Sequence, residues 1–284
     1  MIKTVVVTGS SGFIGRKLCL LLRKNHFNVI ELDLEKKLDI KDFRAFSSLP
    51  DFDFIIHLAA RSFVPDSFKE PLDFYRTNID GTLNVLESAR QKKAKVIFFS
   101  SYLYGSPEYL PVDEEHNLNP HNPYANSKML GEKLCEAYFK DFNVPVMIFR
   151  PFNIYGSGQN ENFLIPTIVS QLKNKEIQLL DSKPKRDYIH ASDVVHAVYC
   201  AITSNIEGFE CFNLGSGESY SVEHIAKELI KLSDANTELI FSQTTRENEV
   251  LDCYANIDKA KVMLNWKPEV TLIKGLELII NNNN

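Results

Sequence analysis

Tyr124 and Lys128 are the residues whose types and spacing most clearly suggest chemistry. Pro123 favours the start of a helix, and a spacing of four residues then places the phenol and the ammonium on one helix face. A phenol with a pKa of about 10 is a weak base at neutral pH, but a neighbouring positive charge favours its ionised form. The pair therefore predicts proton exchange at the oxygen of a carbinol.

A serine pair follows an apolar strand pattern at residues 96–99. If that strand belongs to a parallel sheet, Ser100 and Ser101 lie at its carboxyl edge, where open α/β folds bind ligands. Counting from the strand selects Ser101 as the hydroxyl that contacts the reacting oxygen and shares protons with Tyr124.

A glycine turn opens the chain. Three glycines stand between a strand pattern at residues 4–8 and a helical pattern: Gly9, Gly12 and Gly15. This context allows close approach of the backbone to a pyrophosphate at a helix N-terminus, and so predicts a dinucleotide cofactor. Asp33 ends the second strand pattern about 20 residues further on, where a carboxylate binds ribose hydroxyls and repels a 2′-phosphate. The sequence favours NAD, although Lys36 and Lys37 keep NADP open.

Alternating patterns must position these groups. Strand patterns occur at residues 4–8, 28–32, 54–58, 95–100 and 145–149, and helical patterns at residues 14–24, 82–91 and 124–142. Continuously apolar strands separated by helices predict a Rossmann-type doubly wound α/β fold with a parallel sheet. We expect residues 1–155 to form the NAD-binding domain and residues 156–284 mainly a smaller substrate-binding lobe, with a return to the first domain within residues 187–214.

The composition narrows the class of protein. The 284 residues carry a formal net charge of -5 and five scattered cysteines without a C-x-x-C pair. An acidic balance argues against nucleic acid or a membrane surface as partner, and the cysteine and histidine spacings predict no metal site. No apolar run reaches the roughly 18 residues of a membrane span, and no secretory leader is recognised. We therefore expect a cytoplasmic protein.

Further motifs make the chain resemble the extended short-chain dehydrogenases/reductases, and within them the NAD-dependent nucleotide-sugar epimerases and dehydratases. The motifs are TGSSGFIG at residues 8–15, HLAA at 57–60, NIDGTLNVLE at 78–87, PYANSK at 123–128, RPFNIYGSGQ at 150–159 and RDYIH at 186–190. The resemblance implies catalysis by Ser101, Tyr124 and Lys128. It implies cofactor binding by Gly9, Gly12, Phe13, Ile14, Gly15, Asp33, Asp39, Ile40, Leu58, Ala59, Ala60, Asn78, Tyr124 and Lys128. It implies substrate binding by Ser100, Asn153, Asn162, Phe163, Arg186, Arg246 and Cys253.

Two departures from the family pattern matter. The family usually has one or two more residues between the catalytic serine or threonine and the following Tyr-Gly pair than this chain has before Tyr104. Counting back from Tyr104 therefore selects Ser100 as the catalytic serine, instead of Ser101. The Asp-Glu pair of 4,6-dehydratases is replaced by Tyr102 and Leu103, which disfavours dehydration.

Three functions stay open. We expect an epimerase of a nucleoside-diphosphate sugar that acts by transient oxidation at sugar C4, with an NAD(P)H-dependent 4-ketoreductase as the alternative. A dinucleotide-binding sensor without catalysis is the third. Cys253 either tolerates 2-acetamido sugars as a small residue or is an ordinary buried cysteine. Family members often form homodimers through the helices that match residues 82–90 and 124–142.

Overall fold

The computed structural model describes residues 2–242, 244 and 249–283. In chain order the strands are β1 Thr4–Thr8, β2 Asn28–Leu32, β3 Phe54–His57, β4 Lys95–Phe99, β5 Val146–Pro151, β6 Asn153–Tyr155, β7 Glu176–Leu179, β8 Lys185–Arg186, β9 Tyr188–His190, β10 Phe209–Leu214, β11 Tyr220–Ser221 and β12 Glu238–Phe241. The helices are α1 Phe13–Lys24, α2 Arg44–Ser47, α3 Val64–Lys69, α4 Pro71–Tyr75, α5 Gly81–Lys92, α6 Pro123–Phe142, α7 Leu164–Gln171, α8 Ala191–Thr203, α9 Val222–Ser233, α10 Asp258–Leu264 and α11 Leu272–Asn283.

A six-stranded parallel sheet forms the centre, in the order β2, β1, β3, β4, β5, β10. Its inner strands are buried along almost their whole length, as their continuous apolar runs require of strands covered on both faces. Strands β1 and β2 have the predicted bounds, while β3 and β4 each end one residue earlier than predicted. The predicted doubly wound α/β fold is confirmed.

Helices cover both faces of this sheet. On one face, Leu18 and Leu22 of α1 pack into the same core cluster as Val194 and Val198 of α8. On the other face, α5 and α6 contribute to a second cluster, which includes Leu86 and Cys135. Helix α6 brings residues 124 and 128 to the carboxyl end of β4, where Lys128 meets the Phe99 carbonyl oxygen.

A smaller third cluster lies outside the sheet layers. Ile168 of α7, Leu229 of α9 and Leu276 of α11 pack together in it. Strand pairs β6 with β9, β7 with β12 and β8 with β11 border this region.

The chain crosses between the two regions more than once. Strand β10 joins the main sheet beside β5 and runs parallel to it. Later residues also pack on the main core: Leu264 and Trp266 belong to the first cluster, and the Trp266 Nε1 donates to the Asp193 carbonyl oxygen at 2.9 Å. The last residues of the chain therefore contribute to both regions.

None of the helices in the described ranges is long and apolar enough to cross a bilayer. The same residues contain no group of three or more histidine, cysteine, aspartate or glutamate side chains arranged to hold a metal ion.

Candidate active site

A cavity of about 640 Å³ lies at the carboxyl end of the parallel strands. The glycine turn after β1 forms one wall, and the segments after β4 and β5 form the floor. Phe163, Leu164 and Ile165, at the start of α7, and Arg186 of β8 close the far side. The position agrees with the rule that open α/β sheets bind ligands at this edge.

The glycine turn leaves room that side chains would fill. Gly9 has a φ of +68°, which favours glycine. A Cβ on Gly15 would lie 2.1 Å from the Gly9 carbonyl oxygen, so α1 packs directly against the turn. Gly12 precedes α1 without a side-chain cap, which leaves N–H groups at the helix N-terminus for an anion. The turn, with Phe13 and Ile14 also facing the cavity, fits the pyrophosphate of a dinucleotide.

Asp33 lies beside this turn, directly after β2. Its Oδ2 accepts the Ser11 N–H at 2.9 Å, and its Oδ1 accepts the Glu35 N–H at 3.0 Å. The neighbouring Lys36 is paired with Glu31, so its ammonium is already engaged by a carboxylate. The edge of the glycine turn therefore presents negative charge, which suits ribose hydroxyls and opposes a 2′-phosphate.

The remaining predicted cofactor residues divide into two groups. Leu58 and Ala60, after β3, line the cavity, and the Ala59 nitrogen lies 2.7 Å from the position of a Cβ on Gly9. Asp39 and Ile40 lie in the segment after β2, outside the cavity lining, and the Ile40 carbonyl oxygen accepts the Asn84 amide at 2.8 Å.

Asn78 also lies outside the lining, in the π-helical turn Arg76–Asp80 between α4 and α5. Its Nδ2 donates to the Ser127 Oγ at 2.8 Å and to the Arg61 carbonyl oxygen at 3.1 Å, while its Oδ1 accepts the Arg61 N–H at 2.9 Å. In this structure Asn78 ties α6 to the segment after β3, because all of its amide atoms have protein partners.

Helix α6 carries the predicted proton-exchange pair. The Asn122 side chain caps it by accepting the Ala125 N–H at 2.8 Å. Tyr124 and Lys128 both line the cavity, as their spacing predicts. The Lys128 Nζ, however, donates to the Phe99 carbonyl oxygen at 2.7 Å and lies 5.1 Å from the centroid of the Phe98 ring. Its ammonium is therefore held at the end of β4.

Burial shifts the proton affinities of this pair in opposite directions. It lowers the pKa of Lys128 to about 8 and raises the pKa of Tyr124 to about 12. The neighbouring Ser101 hydroxyl counteracts part of the increase in the pKa of Tyr124. Burial thus disfavours the charged form of both residues, so Tyr124 keeps its proton while Lys128 is still mostly protonated at pH 7, which differs from the expected stabilisation of a phenolate by Lys128. The reason is that the apolar surroundings disfavour charge on both groups and the ammonium is turned towards Phe99.

The two serines occupy different positions at the end of β4. Both line the cavity. Ser101 is the one that is close enough to the Tyr124 phenol to lower its pKa. Ser100 Oγ is buried and has no hydrogen-bond partner in the described part of the chain.

On the far side of the cavity, Asn153 and Arg186 both belong to the lining. The Asn153 Nδ2 donates to the Asp187 carbonyl oxygen at 3.0 Å. The Arg186 guanidinium pairs with Glu249 and also donates to the Val250 carbonyl oxygen. Arg186, Glu249 and Val250 all face the cavity, so this wall combines a planar set of donors with a carboxylate.

The other predicted substrate residues are more dispersed. Phe163 lines the cavity, and Asn162 is exposed beside it. Cys253 is 1% exposed, packs in the first core cluster and is not part of the lining, because its side chain points into that core. Arg246 lies outside the described residues.

Tyr102 and Glu249 are among the residues of the site that were not predicted from the sequence. Tyr102 lines the cavity, and its hydroxyl donates to the Asn153 Oδ1 at 3.3 Å. Its position directly after the serine pair was the available signal. Glu249 is brought in from a distant segment, and nothing in its local sequence indicates a partner for Arg186.

Comparison with known proteins agrees with this geometry. Residues 5–215 match the family described as NAD dependent epimerase/dehydratase. The chain is 36% identical over 241 residues to GDP-6-deoxy-D-talose 4-dehydrogenase of Aggregatibacter actinomycetemcomitans, with 81% of this chain and 80% of that protein covered. Its structure is similar to that of UDP-glucose 4-epimerase of Thermotoga maritima with UDP-glucose, with a TM-score of 0.91, 27% identity and coverage of 98% and 97%. It is equally similar to RMD from Pseudomonas aeruginosa complexed with NADPH, with a TM-score of 0.91, 26% identity and coverage of 99% and 98%.

Proposed function

The chain belongs to the NAD-dependent epimerase/dehydratase family, and from that premise we propose that it is a nucleotide-sugar epimerase that acts by transient oxidation at sugar C4. One observation carries the proposal. Tyr124, Lys128 and the Ser101 hydroxyl share a single cavity with the glycine turn that carries Asp33 at its edge. The proposed proton-exchange residues thus lie next to the glycine turn that fits a dinucleotide.

The residues of the glycine turn and Asp33 fit NAD. Gly9, Gly12 and Gly15 leave the space that a pyrophosphate needs, and Asp33 would hold the adenosine ribose. Lys128 would hold the nicotinamide ribose. When bound, NAD supplies a reversible hydride acceptor.

The protein itself handles the proton. Tyr124 exchanges the proton of the sugar 4-hydroxyl, and Ser101 positions the phenol and the sugar oxygen through its hydroxyl. On the opposite wall, the donor fork of Arg186 suits the diphosphate, together with Asn153. From the family resemblance we also expect Arg246, which lies outside the described residues, to contact the diphosphate. The substrate class is a nucleoside-diphosphate sugar, and the structure favours no particular base.

A second candidate is an NAD(P)H-dependent 4-ketoreductase of nucleotide sugars. The 4-dehydrogenase relative and the NADPH complex of a similar structure support it. The carboxylate of Asp33, 2.9 Å from the Ser11 nitrogen, favours NAD and so a cofactor that is recycled within one turnover. A sensor without catalysis is the weakest candidate, because Tyr124 and Lys128 are both present and both face the cavity.

We also propose a homodimer in the cytoplasm. Leu83 of α5 is 40% exposed, and Leu130 and Phe142 of α6 are 41% and 52% exposed, which leaves apolar surface on the two helices expected at the interface. The five cysteines are unpaired, which suits a reducing compartment.

The reaction is tested by incubating the purified protein with UDP- and GDP-hexoses and with their 4-keto derivatives, with and without added NADH or NADPH. We expect NMR to show interconversion of C4 epimers without net use of added cofactor, and Tyr124→Phe to abolish it. Turnover of only the 4-keto sugars, with one equivalent of NADH or NADPH consumed, would establish the ketoreductase and exclude the epimerase.

A further inference from the structure

Tyr102 lines the cavity in the neighbourhood of both Tyr124 and Arg186. Its ring stacks on Phe152, with centroids 5.2 Å apart and an interplanar angle of 17°. Its hydroxyl donates to the Asn153 Oδ1 at 3.3 Å, and the Arg186 guanidinium is close enough to lower the pKa of the phenol. The phenol is also close enough to Tyr124 for the two groups to influence each other electrostatically.

The neighbouring contacts fix how this hydroxyl is used. Because the Asn153 Nδ2 donates to the Asp187 carbonyl oxygen, the amide is oriented and its Oδ1 faces Tyr102. Burial raises the pKa of Tyr102, so the phenol keeps its proton at neutral pH. The hydroxyl thus has an ordered donor direction and an oxygen that still accepts.

The position of Tyr102 corresponds to the hexose ring of a nucleotide sugar. In a hexose linked through C1 to a diphosphate, the 4-hydroxyl and the phosphorylated oxygen lie on opposite sides of the ring. If Tyr124 contacts the first and Arg186 the second, the hexose ring passes over the wall that carries Tyr102.

We propose that Tyr102 is the residue of this site that recognises and orients the sugar, by a hydrogen bond between its phenol and a ring hydroxyl. The proposal rests on the proposed function, since it takes a nucleotide sugar as the ligand. A site that hydrogen-bonds a substrate hydroxyl discriminates strongly against an analogue without it, because the buried polar group is then left unpaired.

The test compares Tyr102→Phe with Tyr109→Phe. The control makes the same atomic change at an exposed tyrosine of the same connection between β4 and α6, where the phenol bonds Asp113. Calorimetry in the presence of NAD measures the Kd of UDP-glucose and of UDP. The same measurement is made with a GDP-hexose and with GDP. We expect Tyr102→Phe to weaken binding of the nucleotide sugar by about tenfold, and to change the Kd of the sugar-free diphosphate by less than about twofold.

A second arm uses deoxy-sugar nucleotides. Loss of the hydroxyl that Tyr102 contacts should cost the wild-type protein about tenfold in Kd and cost Tyr102→Phe little. Equal weakening of the nucleotide sugar and the free diphosphate would overturn the proposal, since Tyr102 would then act only through Arg186. An unchanged Kd for both would overturn it as well.

The two proposals fail in distinguishable ways. Absence of epimerisation in the wild-type protein would refute the proposed reaction, but the Kd comparison for Tyr102 would still give a result. Normal epimerisation by Tyr102→Phe with unchanged kcat and KM would refute the role of Tyr102 alone.

Discussion

At the scale of single residues, burial is the main influence on the chemistry of the site. Lys128 is 4% exposed, and its ammonium has one close protein acceptor, the Phe99 carbonyl oxygen. Tyr124 is turned towards Ser101 instead. Lys128 and Tyr124 therefore share a helix face without a hydrogen bond between them among the described contacts, and the pKa of each responds to different neighbours.

The buried ammonium predicts a pH-dependent stability. The pKa of Lys128 is about 8 in the folded protein and 10.5 when exposed, so the cost of burying its charge is complete below pH 8 and disappears as the pH rises to 10.5. A shift of this size corresponds to about 3 kcal/mol. We expect Lys128→Met to raise the free energy of unfolding at pH 7 by about 2 kcal/mol, after loss of the bond to Phe99.

Urea unfolding of the cofactor-free wild type and Lys128→Met from pH 7 to pH 10 checks this. The advantage of the variant should shrink steadily above pH 8. A difference between the two proteins that does not depend on pH would contradict the assignment of a buried, charged Lys128.

The serine pair gives a second prediction at this scale. Ser101→Ala should lower kcat by about 100-fold, because it removes the hydroxyl next to Tyr124. Ser100→Ala should have a smaller effect, since Ser100 Oγ has no partner among the residues described. Steady-state kinetics on the identified substrate measures both, with the exposed Ser106→Ala as control. A larger loss at Ser100 would transfer the catalytic role to it.

At the scale of elements, a buried ion pair sets the position of α6. Glu132 lies on α6 one helical turn after Lys128. Arg150 of β5 donates two hydrogen bonds to its carboxylate, at 3.0 and 2.7 Å. The same guanidinium donates to the Tyr104 hydroxyl at 3.1 Å and to the Glu114 carbonyl oxygen at 3.2 Å. The helix that carries the proton-exchange residue is therefore tied to the sheet and to the connection after β4.

Breaking this pair should be costly. Glu132→Gln leaves the Arg150 charge buried without its counter-charge, and we expect it to lower the free energy of unfolding by about 3 kcal/mol. The matched control is Glu136→Gln, four residues further along α6, where the carboxylate meets Lys133 and Lys140 at the surface. It should change stability by less than about 1 kcal/mol. Urea unfolding at pH 7 compares the two variants, and equal effects would show that the buried pair has no special importance.

At the scale of the whole molecule, α5 and α6 expose apolar side chains on part of their surface. Leu83, Leu130 and Phe142 lie on α5 and α6, on the side of the sheet opposite α1 and α8. The active site lies at the other end of α6 from Phe142, so an interface there would stiffen the helix without covering the cavity.

The proposed dimer can be tested by a charge at its centre. We expect the wild type to sediment as a dimer and Leu130→Glu to sediment as a monomer, because a buried, unpaired carboxylate strongly opposes association. Val262→Glu is the control: this α10 residue is 83% exposed and should leave the dimer intact. A monomeric wild type, or a dimer that survives Leu130→Glu, would argue against the interface.

What the sequence alone determined is local. Apolar runs and helical spacing were sufficient to identify the parallel sheet, the glycine turn and the Tyr124 and Lys128 helix, because each depends on neighbours within a few residues. The motifs were also sufficient for the family, which the match over residues 5–215 confirms.

The tertiary structure decided which side chains meet. It turns Lys128 towards Phe99, places Cys253 in the core, and joins Tyr102 and Arg186 with Glu249 from three separate segments. Residue spacing along the chain does not encode these contacts, because they depend on how distant segments pack and on which way each side chain is then forced to point.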